Sequence, residues 1–185
     1  MFRNREEAGR RLADRLSHYR NDPTSLILAL PRGGVAVGYQ LSLVLHVPLD
    51  VFLTRKIGAP GDPEYAIGAV AETGSHYLNQ EAISSFGLSR YGLDRLIQVQ
   101  ENEIARRKDL YRQGRPLPHL TGRTVLLVDD GIATGSTFLA SARAIRGLQP
   151  RRLVGVIPVG PPSTIHEVRS HVDELVILMT PDPFY

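Results

Sequence analysis

Residues 121 to 137 read TGRTVLLVDDGIATGST, and the order of residue types in this stretch decides what the chain can be. Val125-Leu126-Leu127-Val128 is a run of four apolar residues of buried-strand type. It delivers two adjacent carboxylates, Asp129 and Asp130, and then a loop of small residues from Gly131 to Thr137. A helix that begins FLASARAI at Phe138 takes over. The loop combines backbone N–H groups, three hydroxyls (Thr134, Ser136, Thr137) and a helix N-terminus on one short arc. Such an arc binds phosphate, because the N–H groups and the helix dipole both favour an anion. Two carboxylates just before it can hold hydroxyls or a metal ion beside that phosphate. The physical reading is a site for a phosphorylated sugar, beyond the carboxyl end of a strand, where open α/β sheets bind ligands.

Working outward, the same alternation recurs. Upstream, Ser25 to Leu30 (SLILAL) is a short apolar strand that runs into Pro31-Arg32-Gly33-Gly34, then a helix (VAVGYQLSLVLH) and a second strand, Leu49 to Thr54. This is one βαβ unit. Downstream, a helix ending near Gly147 leads to strand Arg152 to Val159, a helix from Pro162 to His171 and a last strand, Glu174 to Met179. The pattern predicts an α/β fold: a doubly wound, mostly parallel sheet of about five strands flanked by helices.

The remaining stretches surround that core. Residues 5–19 carry Ala8, Leu12, Leu16 and Tyr19 at helical spacing. Residues 55–65, RKIGAPGDPEY, are rich in Gly and Pro and show neither period. They read as a mobile functional loop. Ile67 to Ala71 and His76 to Leu78 read as short strands, paired across Glu72-Thr73-Gly74-Ser75. Ser89 to Gln113 is a long helix whose ENEIARRKD face reads as solvated and self-paired at i,i+4. Gly114 and Pro116 stop it.

Composition bounds the partners. At 185 residues with no cysteine and no long apolar run, the chain reads as one domain without disulfides, thiolate metal sites or a membrane span. The absence of cysteine fits a cytoplasmic protein. The N-terminus is basic, but Glu6, Glu7 and Asp14 interrupt it, unlike a transit peptide. A net charge of +3 suits a small polyanionic substrate and is too dispersed to argue for nucleic acid. The six histidines show no metal-ligand spacing.

Competing phosphate motifs fit less well. The Walker A pattern is absent. A receiver domain places its acidic pair after the first strand, whereas this pair lies two-thirds along the chain. VLLVDDGIATGST resembles the signature of the type I phosphoribosyltransferases, which bind 5-phosphoribosyl-1-pyrophosphate (PRPP). That signature has four apolar residues, two acids and a short loop ending T-G-x-T. Gly131 departs from it, since an apolar residue is usual there.

The resemblance implies a phosphoribosyltransferase-like domain over residues 1–185, with its core at about 25–180 and hood or flexible-loop elements near 55–88 and 174–185. It implies that Asp129 and Asp130 hydrogen-bond the ribose 2′- and 3′-hydroxyls, with Mg²⁺ held indirectly nearby. Ala133, Thr134, Gly135, Ser136 and Thr137 would cradle the 5′-phosphate. Arg32, Gly33 and Gly34 match the family's pyrophosphate loop, where a planar guanidinium grips two oxygens at once.

The 55–65 stretch stands in order where the family carries its closing loop. There Arg55 and Lys56 would meet the pyrophosphate, Lys56 in a catalytic role, and Glu64 would face the ribose or metal. The terminal PDPFY resembles a P-D-x-F segment whose aromatic, here Phe184, stacks on a base. The implied activity is Mg²⁺-dependent phosphoribosyl transfer to a nitrogenous acceptor base in nucleotide salvage, by a homodimer. A PRPP- or nucleotide-sensing regulator on the same fold is the alternative.

Overall fold

The computed structural model describes residues 2–183. Its centre is a five-stranded sheet in the order β2-β1-β6-β7-β8, with every neighbouring pair parallel. The strands are β1 (Ser25–Ala29), β2 (Leu49–Val51), β6 (Thr124–Val128), β7 (Arg152–Val159) and β8 (Glu174–Met179). β1 and β6 are buried along their whole length, as parallel strands covered on both faces must be.

Successive side chains go to opposite faces. Leu26, Leu28, Val125, Leu127, Leu153 and Ile157 pack with Phe138, Ile145, Ile165 and Val168, from helices α5 (Ser136–Gly147) and α6 (Pro162–Arg169). Ile27, Ala29, Leu126, Val128, Val154 and Val156 pack with Leu12 of α1 (Arg5–Arg15), Leu16 just past its end, and Val37, Leu41 and Leu45 of α2 (Gly33–Leu45). The doubly wound sheet read from the sequence is the observed core.

The middle of the chain departs from expectation. In place of one strand from 49 to 54 and an irregular loop over 55–65, the chain forms β2, then β3 (Thr54–Ala59) and β4 (Asp62–Ala71), an antiparallel hairpin. With β5 (His76–Leu78) it makes a separate three-stranded sheet. The reason is turn chemistry. Pro60-Gly61 closes the hairpin with Gly61 at φ 81, and Asp62 Oδ1 accepts from the Glu64 and Tyr65 N–H groups. The dipeptide P-G was the available signal. Ile57, Ile67 and Val70 pack against Ile83 of α3 (Gln80–Ser85) and against Ile97 and Ile104 of α4 (Arg90–Arg112), a third apolar cluster.

A buried ionic node joins this unit to the main sheet. Arg112, only 1% exposed, gives Nη1 and Nη2 to the Glu72 carboxylate at 2.5 Å each, Nε to Asp50 Oδ1 at 3.3 Å and Nη2 to Val51 O at 2.8 Å. Glu72 also accepts from the Leu53 N–H at 2.8 Å, which fixes the step between β2 and β3. The charged face of α4 lies outward as expected, with Glu103 paired to Arg106 and Arg107.

Candidate active site

β6 carries the acidic pair out of the sheet between two neighbours. Leu30 N donates to Val128 O at 2.9 Å and Asp129 N donates to Val156 O at 3.3 Å, so the chain leaves the sheet still held by β1 and β7. Asp129 then turns back on its neighbour: its Oδ1 accepts from Asp130 N at 2.9 Å. Burial pushes the Asp129 carboxyl well above the usual carboxylate range. The Asp130 N–H opposes that shift, and the negative charge of Asp130 adds to it.

Beyond the pair, the loop is pinned from below and open above. Ile132 is buried, and its N–H donates to Val159 O at 3.0 Å. Thr164 of α6 donates its hydroxyl to Ala133 O at 2.7 Å. An added Cβ on Gly131 would come within 3.2 Å of Val159, so the usual apolar residue would crowd β7. Ala133 and Thr134 are exposed, and Thr134 Oγ1 lies 3.2 Å from Ser136 Oγ.

Gly135 sits at φ 73, and a Cβ there would lie 2.7 Å from Thr164 Cγ2, so both backbone and neighbour require glycine. It is the N-cap of α5 and supplies no side-chain cap. The first helical N–H groups, from Ser136 onward, therefore face the loop uncapped, a ready anion cradle.

The loop from Pro31 to Gly34 closes the other side, and the Pro31–Arg32 peptide is cis. A Cβ on Gly33 would fall 1.9 Å from Asp130 Oδ2, and one on Gly34 would fall 2.7 Å from Val128 O. Only glycine lets α2 start this close to the acids, so the two loops form one mouth. The Arg32 side chain is exposed and joins no ion pair or hydrogen bond among the described residues, which leaves its guanidinium open to a ligand.

The structure therefore gathers Asp129, Asp130, Ala133 to Thr137, Arg32, Gly33 and Gly34. It places the hairpin residues differently. Lys56 Nζ pairs with Glu64 Oε2 at 2.8 Å across β3 and β4, so these two hold each other. Arg55 points to the opposite face, where its Nε donates to Gln100 Oε1 of α4 at 3.1 Å. Adjacent residues in a strand cannot share a face, so Arg55 and Lys56 do not grip one ligand together in this conformation. Phe184 lies outside the described residues. Among the described residues no group of three or more His or acidic side chains is placed to hold a metal ion.

Two features escaped sequence reasoning. Arg5, at the start of α1, donates Nε to Asp130 Oδ2 at 2.6 Å. Nothing distinguishes it locally from Arg3, Arg10, Arg11 or Arg15. The Arg112–Glu72 node was equally silent, because ion-pair partners 40 residues apart leave no periodic trace.

Comparison with known proteins bears on this mouth. A family model described as "Phosphoribosyl transferase domain" matches residues 2–180. Two curated proteins from Mycobacterium tuberculosis strains, each named "Putative phosphoribosyl transferase", are 38% identical over all 185 residues. The chain spans 42% of the length of these relatives. Among solved structures, the protein TT1426 from Thermus thermophilus superposes with TM-score 0.81 at 38% identity, over 100% of this chain and 86% of that one. A purine phosphoribosyltransferase from Pyrococcus horikoshii matches at TM-score 0.53 and 17% identity, over 98% of this chain and 92% of that one; it bears on fold alone.

Proposed function

The chain belongs to the phosphoribosyl transferase domain family, and on that premise we propose that it moves a phosphoribosyl group from PRPP to a nitrogenous acceptor, releasing pyrophosphate. One observation carries the reading. The acidic pair, the uncapped start of α5 and the exposed Arg32 line a single mouth, in which glycines at 33 and 34 bring the start of α2 up against the acids.

In this reading the 5′-phosphate sits on Ala133 to Thr137, met by backbone N–H groups and three hydroxyls. Asp129 and Asp130 take the ribose 2′- and 3′-hydroxyls. Burial holds Asp129 toward its neutral form, so it can donate its proton to one hydroxyl oxygen as well as accept from another. As the bond from C1 to the pyrophosphate oxygen breaks, positive charge builds on the ribose ring. The fixed Asp130 carboxylate nearby favours that charge without reorganising. Arg32, with the Gly33 N–H beside it, holds the departing pyrophosphate, while the Gly34 N–H is already taken by Leu30 O at 3.0 Å.

Mg²⁺ fits this donor set as a substrate-borne ion. Two carboxylates at one mouth match the one or two that such an ion takes, with waters and substrate phosphates completing its shell. Asp129 and Asp130 would hold it indirectly, through the ribose hydroxyls and waters they bind, and it would supply charge neutralisation at the pyrophosphate. The β3–β4 hairpin is the lid. Its outer half, from Asp62 to Tyr65, is exposed, while its inner half from Ile67 to Ala71 is buried. Closure would bring Lys56 toward the pyrophosphate and exclude water as a competing acceptor.

The test is a screen of candidate bases with PRPP and Mg²⁺, read by pyrophosphate release. At least one base is expected to give turnover, and Asp130→Asn to abolish it with the thermal midpoint preserved. Full activity in Asp130→Asn would sink the assignment. Tight PRPP binding with a flat response to every base would instead mark a sensing module.

A further inference from the structure

The contact between Arg5 and Asp130 lies outside every role given above. From it we infer that helix α1 contributes a positioning residue to the donor site: Arg5, acting through Asp130. The inference rests on the PRPP reading and adds a part to it.

Asp130 leaves the sheet at a mouth built for a polyanion. Its own negative charge repels the phosphates that the loop attracts. Gly33 presses on one side of the Asp130 carboxylate without offering a side chain to hold it. Arg5 supplies what is missing. Its Nε at 2.6 Å fixes one carboxylate oxygen and sets a positive charge beside it. A single charge-assisted bond holds the orientation and leaves Oδ1 to accept a ligand hydroxyl.

The N-terminal segment is held where this role needs it. Asn4 caps α1 by accepting from Glu7 N, and Glu7 is braced by Arg3 and Arg11. Phe2 lines a groove of about 470 Å³ with Leu178 and Met179, at the carboxyl end of β8. Residues 2–5 thus run from the end of β8 to the end of β6, along the edge where the ligand enters. Nη1 and Nη2 of Arg5 have no partner among the described residues, and its side chain is 61% exposed. The chain therefore gains little fold stability from this pair, as exposed pairs generally give little. The geometry suits ligand handling better than scaffolding.

The experiment is calorimetric titration of PRPP with Mg²⁺ into the full chain, for wild type, Arg5→Ala, Arg5→Lys, Asp130→Asn and the double variant Arg5→Ala/Asp130→Asn. Arg5→Ala is expected to raise Kd about tenfold, the scale of one charge-assisted bond, with the thermal midpoint unchanged. Arg5→Lys should recover part of the loss. The penalty should shrink as salt is added, and in the Asp130→Asn background Arg5→Ala should cost almost nothing. An Arg5→Ala protein that binds as tightly as wild type, or tighter, overturns the inference, as does a penalty undiminished by Asp130→Asn. A wild type that fails to bind PRPP sinks the functional proposal as well; a wild type that binds beside an unaffected Arg5→Ala sinks this inference alone.

Discussion

Glycine does opposite work at the mouth at the end of β6 and at the turn of the β3–β4 hairpin, although Gly58 and Gly68 within the hairpin strands are crowded too, by Pro63 and Tyr77. At the mouth, Gly33, Gly34 and Gly135 let neighbouring chain segments approach until no Cβ fits, so backbone meets carboxylate and helix start at fixed distances. At the hairpin tip, Gly61 has nothing within 4 Å of where its Cβ would be; it is there for its positive φ alone. One region is rigid because it is crowded from both sides. The other is held by a turn, an exposed ion pair between Lys56 and Glu64, and a tilted ring contact between Tyr65 and Phe86 with centroids 5.3 Å apart. On the proposed function, accurate binding is assigned to the crowded region and closure to the open turn.

That contrast breaks most readily at Gly33. Gly33→Ala sets a Cβ inside the Asp130 carboxylate, and kcat/KM for pyrophosphate release is expected to fall about a thousandfold, near 4 kcal/mol of barrier. Gly61→Ala, at the open tip, should leave chemistry within about tenfold while costing roughly 1 kcal/mol of stability from its positive φ. Equal losses at the two glycines would erase the distinction.

The next largest effect concerns what anchors the hairpin unit. Glu72→Gln leaves the buried Arg112 short of its main counter-charge, and removing one partner of such a pair costs about 3 kcal/mol or more. Hydrogen exchange should then show β3, β4 and α4 opening before β1 and β6. A uniform loss of protection would mean that the two units unfold as one.

A smaller effect tests the lid. Lys56→Ala is expected to lower kcat about tenfold, with PRPP affinity changed less. An unchanged kcat would restrict Lys56 to its pair with Glu64.

The pH dependence gives the smallest and sharpest contrast. Asp173 and Glu174 lie at the far end of the sheet. Burial pushes both up, but Arg146 and the Leu153 N–H outweigh it at Asp173, and Tyr19 and Arg152 outweigh it at Glu174, so both end below the ordinary range. A lowered folded pKa gives stability that is present above the unfolded value and lost as pH falls through the folded one. The thermal midpoint should therefore drop below about pH 4. Asp129 has the opposite sign. Its raised pKa means that stability is lost as pH climbs from the ordinary carboxylate value toward the raised one. Asp129→Asn should raise the midpoint at neutral and alkaline pH while removing activity. A midpoint that fell instead would show that Asp129 supports the fold.

The sequence by itself determined the parallel core and the local order of strand, acidic pair and small-residue loop at the end of β6. Apolar strands buried on both faces, helix periodicity and a strand–acid–acid–loop order are local signals, and VLLVDDGIATGST with Pro31-Arg32-Gly33-Gly34 carries them within a few residues each. Tertiary structure alone decided which of these residues meet. The pressing of Gly33 on Asp130, the turning of Arg55 and Lys56 to opposite faces, the Arg112–Glu72 node and the reach of Arg5 over 125 positions all depend on where packed elements place distant side chains. A carboxylate's partner is chosen by distance in space, and distance in space is fixed only when sheet, helices and hairpin have packed.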